Sequence, residues 1–266
     1  MKLSKDTKLI FFDIDGTLWD FTNKISDSTV SAIKAAKKRG HKLFLNSGRA
    51  RGYIIDEGLL SLGFDGIVGG CGTTIEYDNS LIFSSYISNK LLEKSLNIMA
   101  DFGFRTILEG YEALYMNAPE WENDPYYRKL FRDLRDNIKS ISENWGSWDK
   151  ICKFSVDAAK GDLSAGMEAL SRDFSFIVHN ESVVEVVPIG YSKASGIKYI
   201  CEYLGVEREN TFAFGDSIND TDMINYAGVG IAMGNGVKDI KDAADYVTDS
   251  IYEDGIYNAM SRYDLI

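Results

Sequence analysis

The chain has 266 residues, of which 45% are hydrophobic; this suits one large α/β domain or two smaller ones and argues against a disordered chain. Its 40 acidic and 29 basic residues give a formal net charge of −11, which argues against nucleic acid or an anionic membrane as the main partner. An anionic small molecule would have to be attracted locally, by a bound cation or by helix N-termini.

The cysteines indicate a reducing compartment. Cys71, Cys152 and Cys201 are odd in number and scattered, without a Cys-x-x-Cys pair, so we expect small buried hydrophobic residues rather than a disulfide framework. The apolar run at residues 9–12 ends at Asp13 and is too short for a signal peptide or a membrane span. We therefore expect a cytoplasmic protein, a monomer or a small homo-oligomer.

The first part of the chain alternates predicted strands and helices. A helix capped by Ser26 or Asp27 is predicted between the first two strands, and a helix of roughly 12 residues between the second and the third. This alternation is typical of a parallel sheet. The predicted strands cover residues 8–12, 42–45 and 66–68.

The pattern changes in the middle of the chain and then returns. Strand-like residues on both sides of Asp78-Asn79 predict a hairpin, and residues 89–187 mix helices with short strands in an aromatic-rich stretch. After Pro188, helices and strands alternate again. We predict an α/β fold with a Rossmann-like parallel-sheet core domain, residues 1–82 and 190–266, and an inserted α+β cap domain, residues 83–189.

Carboxylates and small polar residues follow three of the apolar strands. Asp13 and Asp15 follow the first strand, and an extended chain would place both on the same side. Asp216 and Asp220 follow a strand predicted at 211–214. Because ligands bind at the carboxyl ends of parallel strands, we expect these carboxylates to converge on one site.

An oxygen-only site of this kind favours Mg²⁺ over zinc, since His41 and His179 are far apart in the sequence. Carboxylates, a divalent cation, a lysine and a hydroxyl suit phosphoryl transfer: one carboxylate attacks phosphorus and another exchanges protons with the leaving group and water. We expect Lys193, at the start of a predicted helix, to be the lysine that neutralises the phosphoryl oxygens.

Four short motifs occur together in this order: Asp13-Ile-Asp-Gly-Thr-Leu, Ser47-Gly-Arg, Lys193, and Gly215-Asp-Ser-Ile-Asn-Asp220. The set resembles the haloacid-dehalogenase-like (HAD) hydrolase superfamily, and the large insertion before Lys193 is similar to the cap of its Cof-type phosphatases. The resemblance covers nearly the whole chain.

The resemblance implies a role for each matching residue. Asp13 would be the nucleophile and a metal ligand, Asp15 the general acid/base with its backbone carbonyl on the metal, and Asp216 the second carboxylate ligand. The remaining matching residues would hold phosphoryl oxygens or support those that do. These are Ser47, Lys193 and the Gly48 backbone N–H on the phosphoryl group; Asn219 on the phosphoryl group or orienting Lys193; Asp220 as a supporting group or a ligand through water; and Thr17 as a supporting hydroxyl.

Cys71 departs from the pattern, since relatives commonly have asparagine before this glycine, and no substrate contact is assigned to it. The glycine-rich stretch "GVGIAMGNG" does not have the spacing of a dinucleotide-binding loop and is predicted to pack behind the site.

The sequence therefore predicts a magnesium-dependent phosphatase that hydrolyses a small phosphomonoester, preferably a sugar phosphate, through an aspartyl-phosphate. Its partner would be a small phosphorylated metabolite. Flavin mononucleotide and pyridoxal phosphate are alternative substrates. A sugar-phosphate mutase and a non-catalytic regulator that binds metal and phosphate are alternative functions.

Overall fold

The structure, a computed structural model, describes residues 3–158 and 161–266. The strands are, in chain order, β1 (Leu9–Phe12), β2 (Lys42–Asn46), β3 (Gly66–Gly69), β4 (Thr74–Tyr77), β5 (Ser80–Ser84), β6 (Arg105–Gly110), β7 (Leu114–Tyr115), β8 (Ile138–Lys139), β9 (Ile151–Asp157), β10 (Phe174–Val178), β11 (Val183–Pro188), β12 (Thr211–Gly215), β13 (Val229–Ala232) and β14 (Tyr246–Val247). The helices are α1 (Asp27–Lys38), α2 (Glu57–Leu60), α3 (Asn89–Asp101), α4 (Ala118–Trp121), α5 (Pro125–Leu134), α6 (Leu163–Leu170), α7 (Lys193–Leu204), α8 (Thr221–Tyr226), α9 (Lys238–Ala243) and α10 (Gly255–Arg262).

The chain divides into two compact units, which we call the core unit and the cap unit. The core unit comprises Met1–Gly48, Asp56–Phe83 and Tyr191–Ile266, and the cap unit comprises Arg49–Ile55 and Ser84–Gly190. The borders near residues 83 and 190 lie within one residue of the predicted domain borders. Residues 49–55, which the sequence placed in the core, group with the cap unit instead.

Within the described residues, the core unit has an eight-stranded sheet in the order β14-β13-β12-β1-β2-β3-β4-β5. Neighbouring strands from β14 to β3 are parallel, and β4 is antiparallel to β3. All four side chains of β1 are buried, as expected for a strand in the middle of a parallel sheet with both faces covered. The predicted parallel-sheet core is confirmed.

Local signals place several core elements as predicted. Ser26, one of the two predicted caps, accepts a hydrogen bond from the Thr29 N–H and so begins α1. Asp78 and Asn79 connect β4 to β5 with positive φ angles of 50° and 58°, the backbone that a two-residue hairpin requires. The predicted hairpin is confirmed.

The predicted helix of roughly 12 residues after Arg49 is wrong. A 3₁₀ helix at Arg51–Tyr53 and the four-residue α2 stand in its place. Ile54 has a non-helical backbone (φ −99°, ψ 75°), and the Asp56 side chain accepts the Leu59 N–H at 2.8 Å, which begins a new helix. Gly52 lies so close to the backbone of Ala113 that a side chain would overlap it. Tertiary packing in the cap unit therefore interrupts this segment.

The cap unit contains, among its described residues, a six-stranded sheet in the order β10-β11-β9-β6-β7-β8. One apolar cluster packs α3 against the sheet, with Leu92, Phe154 and Val184 among its buried members. A second cluster, around Leu114 and Trp121, includes the partly buried Tyr53 and Ile55. This second cluster explains why residues 49–55 group with the cap unit, and the predicted α+β character of the insertion is confirmed.

Gly196 generates a stability prediction, because α7 packs on β3 at this glycine and an added Cβ would overlap a methyl group of Val68. We expect Gly196→Ala to destabilise the protein by about 1–3 kcal/mol through overpacking. Helix propensity alone predicts the opposite sign, a gain of about 1 kcal/mol. Denaturant unfolding followed by circular dichroism measures the change.

Two variants control this measurement. Lys198→Ala on the exposed side of α7 should change the free energy of unfolding by less than about 0.5 kcal/mol. Val68→Ala should recover part of the Gly196→Ala loss in the double variant, since the two sites share one space. Stabilisation by Gly196→Ala would contradict the packing argument.

Candidate active site

The carboxyl ends of three adjacent strands bring the predicted site residues together. Strand β1 lies between β12 and β2, with Phe12 paired to Phe214 on one side and Leu45 on the other. Asp13 follows β1, Ser47 follows β2 and Asp216 follows β12. Because the strands are parallel, these residues leave the sheet at the same edge.

A buried lysine joins the carboxylates. The Lys193 side chain is 1% exposed, and its ammonium donates to Oδ1 of Asp13 at 2.6 Å and to Oδ1 of Asp220. Lys193 is the first residue of α7, whose start is fixed by a capping box between Ser192 and Ser195. The predicted lysine thus lies in direct contact with the first and last aspartates of the motifs.

Asp13, Asp216 and Asp220 form a compact carboxylate cluster. One oxygen from each lies within 4.8 Å of the others, an arrangement with the donors that a hard cation requires. Oδ2 of Asp220 also accepts the backbone N–H groups of Asp216 and Ser217, both at 3.0 Å. Asp220 therefore orders the loop that presents Asp216, in addition to its contact with Lys193.

The Gly16-Thr17 part of the first motif shapes the position of Asp216. Gly16 has φ +82°, and a Cβ there would overlap the Asp216 carboxylate. The fully buried Thr17 donates its hydroxyl to Oδ1 of Asp216 at 2.8 Å. The sequence predicted a supporting role for Thr17, and this contact is a supporting one.

Asp13 and Asp15 differ in burial. Both residues follow the end of strand β1 at Phe12. Asp13 is buried and belongs to the cluster, whereas Asp15 is exposed and accepts a hydrogen bond from the Trp19 indole at 3.0 Å. The charge of Asp15 contributes to the raised pKa values of Asp13 and Asp216, so Asp15 lies near the cluster, and the expectation that Asp13 and Asp15 point to one side stays a prediction.

Electrostatics in the cluster follow from burial and crowding. Burial, then the charge of Asp220, raise the pKa of Asp13 well above its usual range, against the lowering effect of Lys193. Burial and Asp220 raise the pKa of Asp216 to about 7. Burial opposes the charge on Lys193, but Asp13 and Asp220 together hold its pKa well above the usual value. Excess negative charge in a buried place is the condition that a divalent cation relieves.

The other predicted phosphate-binding residues lie on nearby loops. Ser47 is buried, and its N–H donates to the Val68 carbonyl at 2.9 Å. Gly48 follows it and is also buried. Asn219 lies on the 3₁₀ helix Ile218–Asp220 and accepts the Ser217 hydroxyl at 2.6 Å through Oδ1. Their contacts with a phosphoryl group stay predictions.

Sequence reasoning missed three residues beside the motifs. Trp19 contacts Asp15, as described above. Asn46 is fully buried; its amide donates to the Lys193 carbonyl at 3.1 Å, and its Oδ1 has no hydrogen-bond partner within the part of the chain that the structure describes. Asn235, in the Gly-Asn-Gly turn, donates to the Gly16 carbonyl at 2.8 Å. For Trp19 and Asn46, a place next to a motif residue was the only signal available, whereas Asn235 lies outside the four motifs and had none.

A second buried lysine lies in the cap unit and was not predicted. Lys153 is 1% exposed and pairs with Glu109 at 3.2 Å and with Glu185. His179 contacts Oε1 of Glu185 at 2.7 Å, and Ser155 donates to Glu109 at 2.6 Å. Burial alone would raise the pKa of Glu185, but Lys153 and His179 outweigh it and lower that pKa below its usual range.

All three cysteines are buried. No helix among the described residues is both long enough and apolar enough to cross a membrane.

The core unit has a parallel sheet with a buried lysine-carboxylate cluster at its strand ends, and the α+β cap unit interrupts the sequence of this core. These features together define the class of capped hydrolases. The family model described as haloacid dehalogenase-like hydrolase matches residues 10–260, so the chain belongs to this family and the predicted resemblance is confirmed.

The relatives and solved structures agree with this family. The Bacillus subtilis protein named "Putative phosphatase YkrA" is 31% identical over 98% of this chain and 99% of its own length. The 5-amino-6-(5-phospho-D-ribitylamino)uracil phosphatase YcsE of Bacillus subtilis is 30% identical over 98% of this chain and 97% of its own length. The solved structure of the HAD subclass IIB sugar phosphatase BT4131 is 28% identical, with a TM-score of 0.83 and coverage of 98% of this chain and 100% of that chain.

The raised pKa of Asp216 generates a pH prediction for the metal-free protein. Between its ordinary pKa of 3.8 and its folded value of about 7, the folded state binds more protons at Asp216 than the unfolded state. Stability contributed by this group is therefore present at low pH and lost as the pH rises. In the presence of a chelator, we expect the free energy of unfolding to fall by about 2–4 kcal/mol between pH 5 and pH 8 on account of Asp216.

Asp216→Asn is the control, because it removes the titrating group. Its profile should lack this fall, and the difference between the two profiles cancels other groups such as His41, whose burial lowers its pKa and whose effect has the opposite sign. Parallel profiles in wild type and variant would contradict the assignment.

Proposed function

We propose that this protein is a magnesium-dependent phosphatase that hydrolyses a small phosphomonoester through an aspartyl-phosphate on Asp13. The observation that carries the proposal is the buried contact of Lys193 with Asp13 and Asp220, beside Asp216, at the carboxyl edge of the parallel sheet. This arrangement supports the proposal, because it would provide a nucleophilic carboxylate, a permanent cation and an oxygen-rich metal site in one location. The family match and the phosphatase names of the relatives support it.

The donor set fits Mg²⁺. The carboxylates of Asp13 and Asp216 and the backbone carbonyl of Asp15 would hold the ion, with Asp220 next to it or bound through water. All of these donors are oxygen atoms, and the pKa of Asp216 is raised to about 7 by burial and by Asp220, as expected where a cation is needed. Bound Mg²⁺ would neutralise negative charge on the phosphoryl oxygens as the reaction proceeds.

Different residues of the chain carry out different steps of the proposed reaction. Asp13 attacks phosphorus while Asp15 protonates the leaving oxygen, and Asp15 afterwards takes a proton from the water that attacks the aspartyl-phosphate. Lys193, Ser47, the Gly48 N–H and Asn219 hold the phosphoryl oxygens. Because the Lys193 ammonium is already fixed by its two carboxylates, little reorganisation accompanies this step.

A sugar phosphate or a similar polyol phosphate is the substrate class that we favour. The structural neighbour BT4131 is named a sugar phosphatase, and the name of YcsE specifies a phosphate on a ribityl chain. Both names describe phosphate esters of polyhydroxylated carbon chains. We assign the choice of leaving group to the cap unit, whose sheet carries polar side chains such as Glu109 and Ser155, and we place the protein in the cytosol with a small phosphorylated metabolite as its partner.

The first experiment measures phosphate release from a broad panel of phosphorylated metabolites, with Mg²⁺ and with a chelator. We expect phosphate release to depend on Mg²⁺. We expect Asp13→Asn to lower the turnover rate by a factor of about 10⁴ or more, because the amide is not a nucleophile. A phospho-enzyme trapped by rapid acid quench should be present in wild type and missing in Asp13→Asn.

Asp65→Asn is the matched control. Asp65 is also an aspartate bonded to a lysine, but it contacts Lys42, which begins β2 at the opposite edge of the sheet. The Asp65→Asn variant should keep the phosphatase activity of the wild type. Formation of an isomeric sugar phosphate without free phosphate would favour a mutase instead, and Mg²⁺ binding without turnover on any compound would favour a regulator.

A further inference from the structure

The peptide group that follows Lys193 is held at both of its polar ends by side chains. Its carbonyl, which belongs to Lys193, accepts the amide N–H of Asn46 at 3.1 Å. Its N–H, which belongs to Ala194, donates to Oδ2 of Asp222 at 3.0 Å. We call Asn46 and Asp222 together the peptide clamp. The clamp holds the backbone of α7 at the residue that carries the ammonium of the site.

The two side chains of the clamp come from different segments, each beside a motif. Asn46 is the last residue of β2 and precedes Ser47, and Asp222 lies on α8, two residues after Asp220. Met223 joins them, because its sulfur accepts the Asn46 amide at 3.4 Å and its backbone N–H donates to Oδ1 of Asp222 at 2.8 Å. The clamp thus connects the start of α7 to the segments that carry the second and fourth motifs.

Helix stability alone does not account for the clamp. The capping box of Ser192 and Ser195 already begins α7, and the carbonyl of a first helical residue has a partner within the helix. Asn46 is 0% exposed, and its Oδ1 has no hydrogen-bond partner among the residues that the structure describes. A buried amide with an unsatisfied acceptor lowers stability relative to an apolar side chain of the same shape. A positioning role accounts for a residue that stability does not favour.

We propose that Asn46 and Asp222 are positioning residues for the Lys193 ammonium, an inference that rests on the proposed phosphatase function. In that function the ammonium holds a phosphoryl oxygen while it also contacts Asp13 and Asp220. A lysine has a flexible four-carbon stem, so a displaced backbone would let the ammonium follow its carboxylates without aiming at the phosphoryl oxygen. The clamp prevents this displacement and so preorganises the cation.

The effect of the clamp should not depend on the leaving group, because the phosphoryl group is common to all phosphomonoesters. A loosened clamp should lower kcat/KM by the same factor for every substrate. Orthovanadate, which imitates the five-coordinate geometry of phosphorus during transfer, should inhibit more weakly by a similar factor. A variant that only destabilises the fold reduces the amount of active protein and leaves this inhibition constant unchanged.

The first experiment compares Asn46→Leu with wild type in the presence of Mg²⁺. Leucine has nearly the shape of asparagine but lacks both the donor to the Lys193 carbonyl and the unsatisfied Oδ1. We expect kcat/KM for p-nitrophenyl phosphate and for a sugar phosphate to fall by about tenfold or more, and the inhibition constant of orthovanadate to rise similarly. The melting temperature should stay the same or rise, because a buried unsatisfied acceptor is removed.

Asp222→Asn and Asp222→Ala test the other end of the peptide group. Asparagine keeps an oxygen for the Ala194 N–H and should retain activity within about threefold, whereas alanine should lose about tenfold or more. Because Asn46→Leu and Asp222→Ala act on one peptide group, the double variant should lose less than the product of the two single losses. If Asn46→Leu does not fold, the two Asp222 variants decide the question.

Asp245→Ala is the matched control. Asp245 also accepts a backbone N–H from another element, that of Gly230 at 2.8 Å, but it lies near the amino ends of β13 and β14. The kcat/KM values and the orthovanadate inhibition constant of this variant should match those of the wild type, even where its melting temperature falls.

The clamp and the phosphatase can fail separately. Unchanged kcat/KM and orthovanadate inhibition in Asn46→Leu and Asp222→Ala, or unequal losses for the two substrates, would overturn the role of the clamp and leave the phosphatase intact. A wild-type protein without Mg²⁺-dependent hydrolysis of either substrate would instead overturn the proposed function, and this result is visible before any variant is compared.

Discussion

The contact of the Lys193 ammonium with Asp13 and Asp220 is the interaction on which the core unit's site depends. Moving a charged group out of water costs several kcal/mol, and the cost is offset only when opposite charges approach closely with good geometry. Here that geometry requires three pieces of the chain that are distant in sequence: the end of β1, the start of α7 and the loop after β12. Parallel pairing of β1 with β12 fixes two of them, and the capping box of α7 fixes the third. The site therefore forms only when β1 and β12 pair in this register and α7 begins at Lys193.

Glycines provide the space that this arrangement occupies. A Cβ on Gly16 would overlap the carboxylate of Asp216, and a Cβ on Gly215 would overlap the side chain of Asp220. A Cβ on Gly236 would come within 2.9 Å of the Asp216 carbonyl. The glycines in the Asp-Gly and Gly-Asp pairs of the motifs therefore have a packing role. Each leaves room for a carboxylate that would overlap the side chain of any other residue at the glycine position.

Much of the core could be predicted because its signals are local. The buried run of β1, the Ser26 cap and the Asp78-Asn79 turn act within a few residues, and the motifs mark where strands end. The helix predicted after Arg49 failed because packing against Ala113, far away in the sequence, decides the conformation of Gly52. The contact of Trp19 with Asp15 depends on a turn that no residue pattern predicts, and the partners of Lys153 come from two separate strands, β6 and β11. Contacts between residues that are distant in the sequence cannot be predicted from local sequence patterns.

The two buried lysines differ in the electrostatics of the carboxylates around them. In the cap unit, Lys153 pairs with Glu109 and Glu185, His179 contacts Glu185, and the pKa of Glu185 is held low despite burial. In the core unit, a single ammonium faces three carboxylates, and the pKa values of Asp13 and Asp216 are raised. Excess negative charge in a buried place is destabilising, and a bound cation would relieve it. Both clusters combine a buried lysine with carboxylates, and the raised pKa values of Asp13 and Asp216, against the lowered pKa of Glu185, support the core cluster as the one that a bound cation would stabilise.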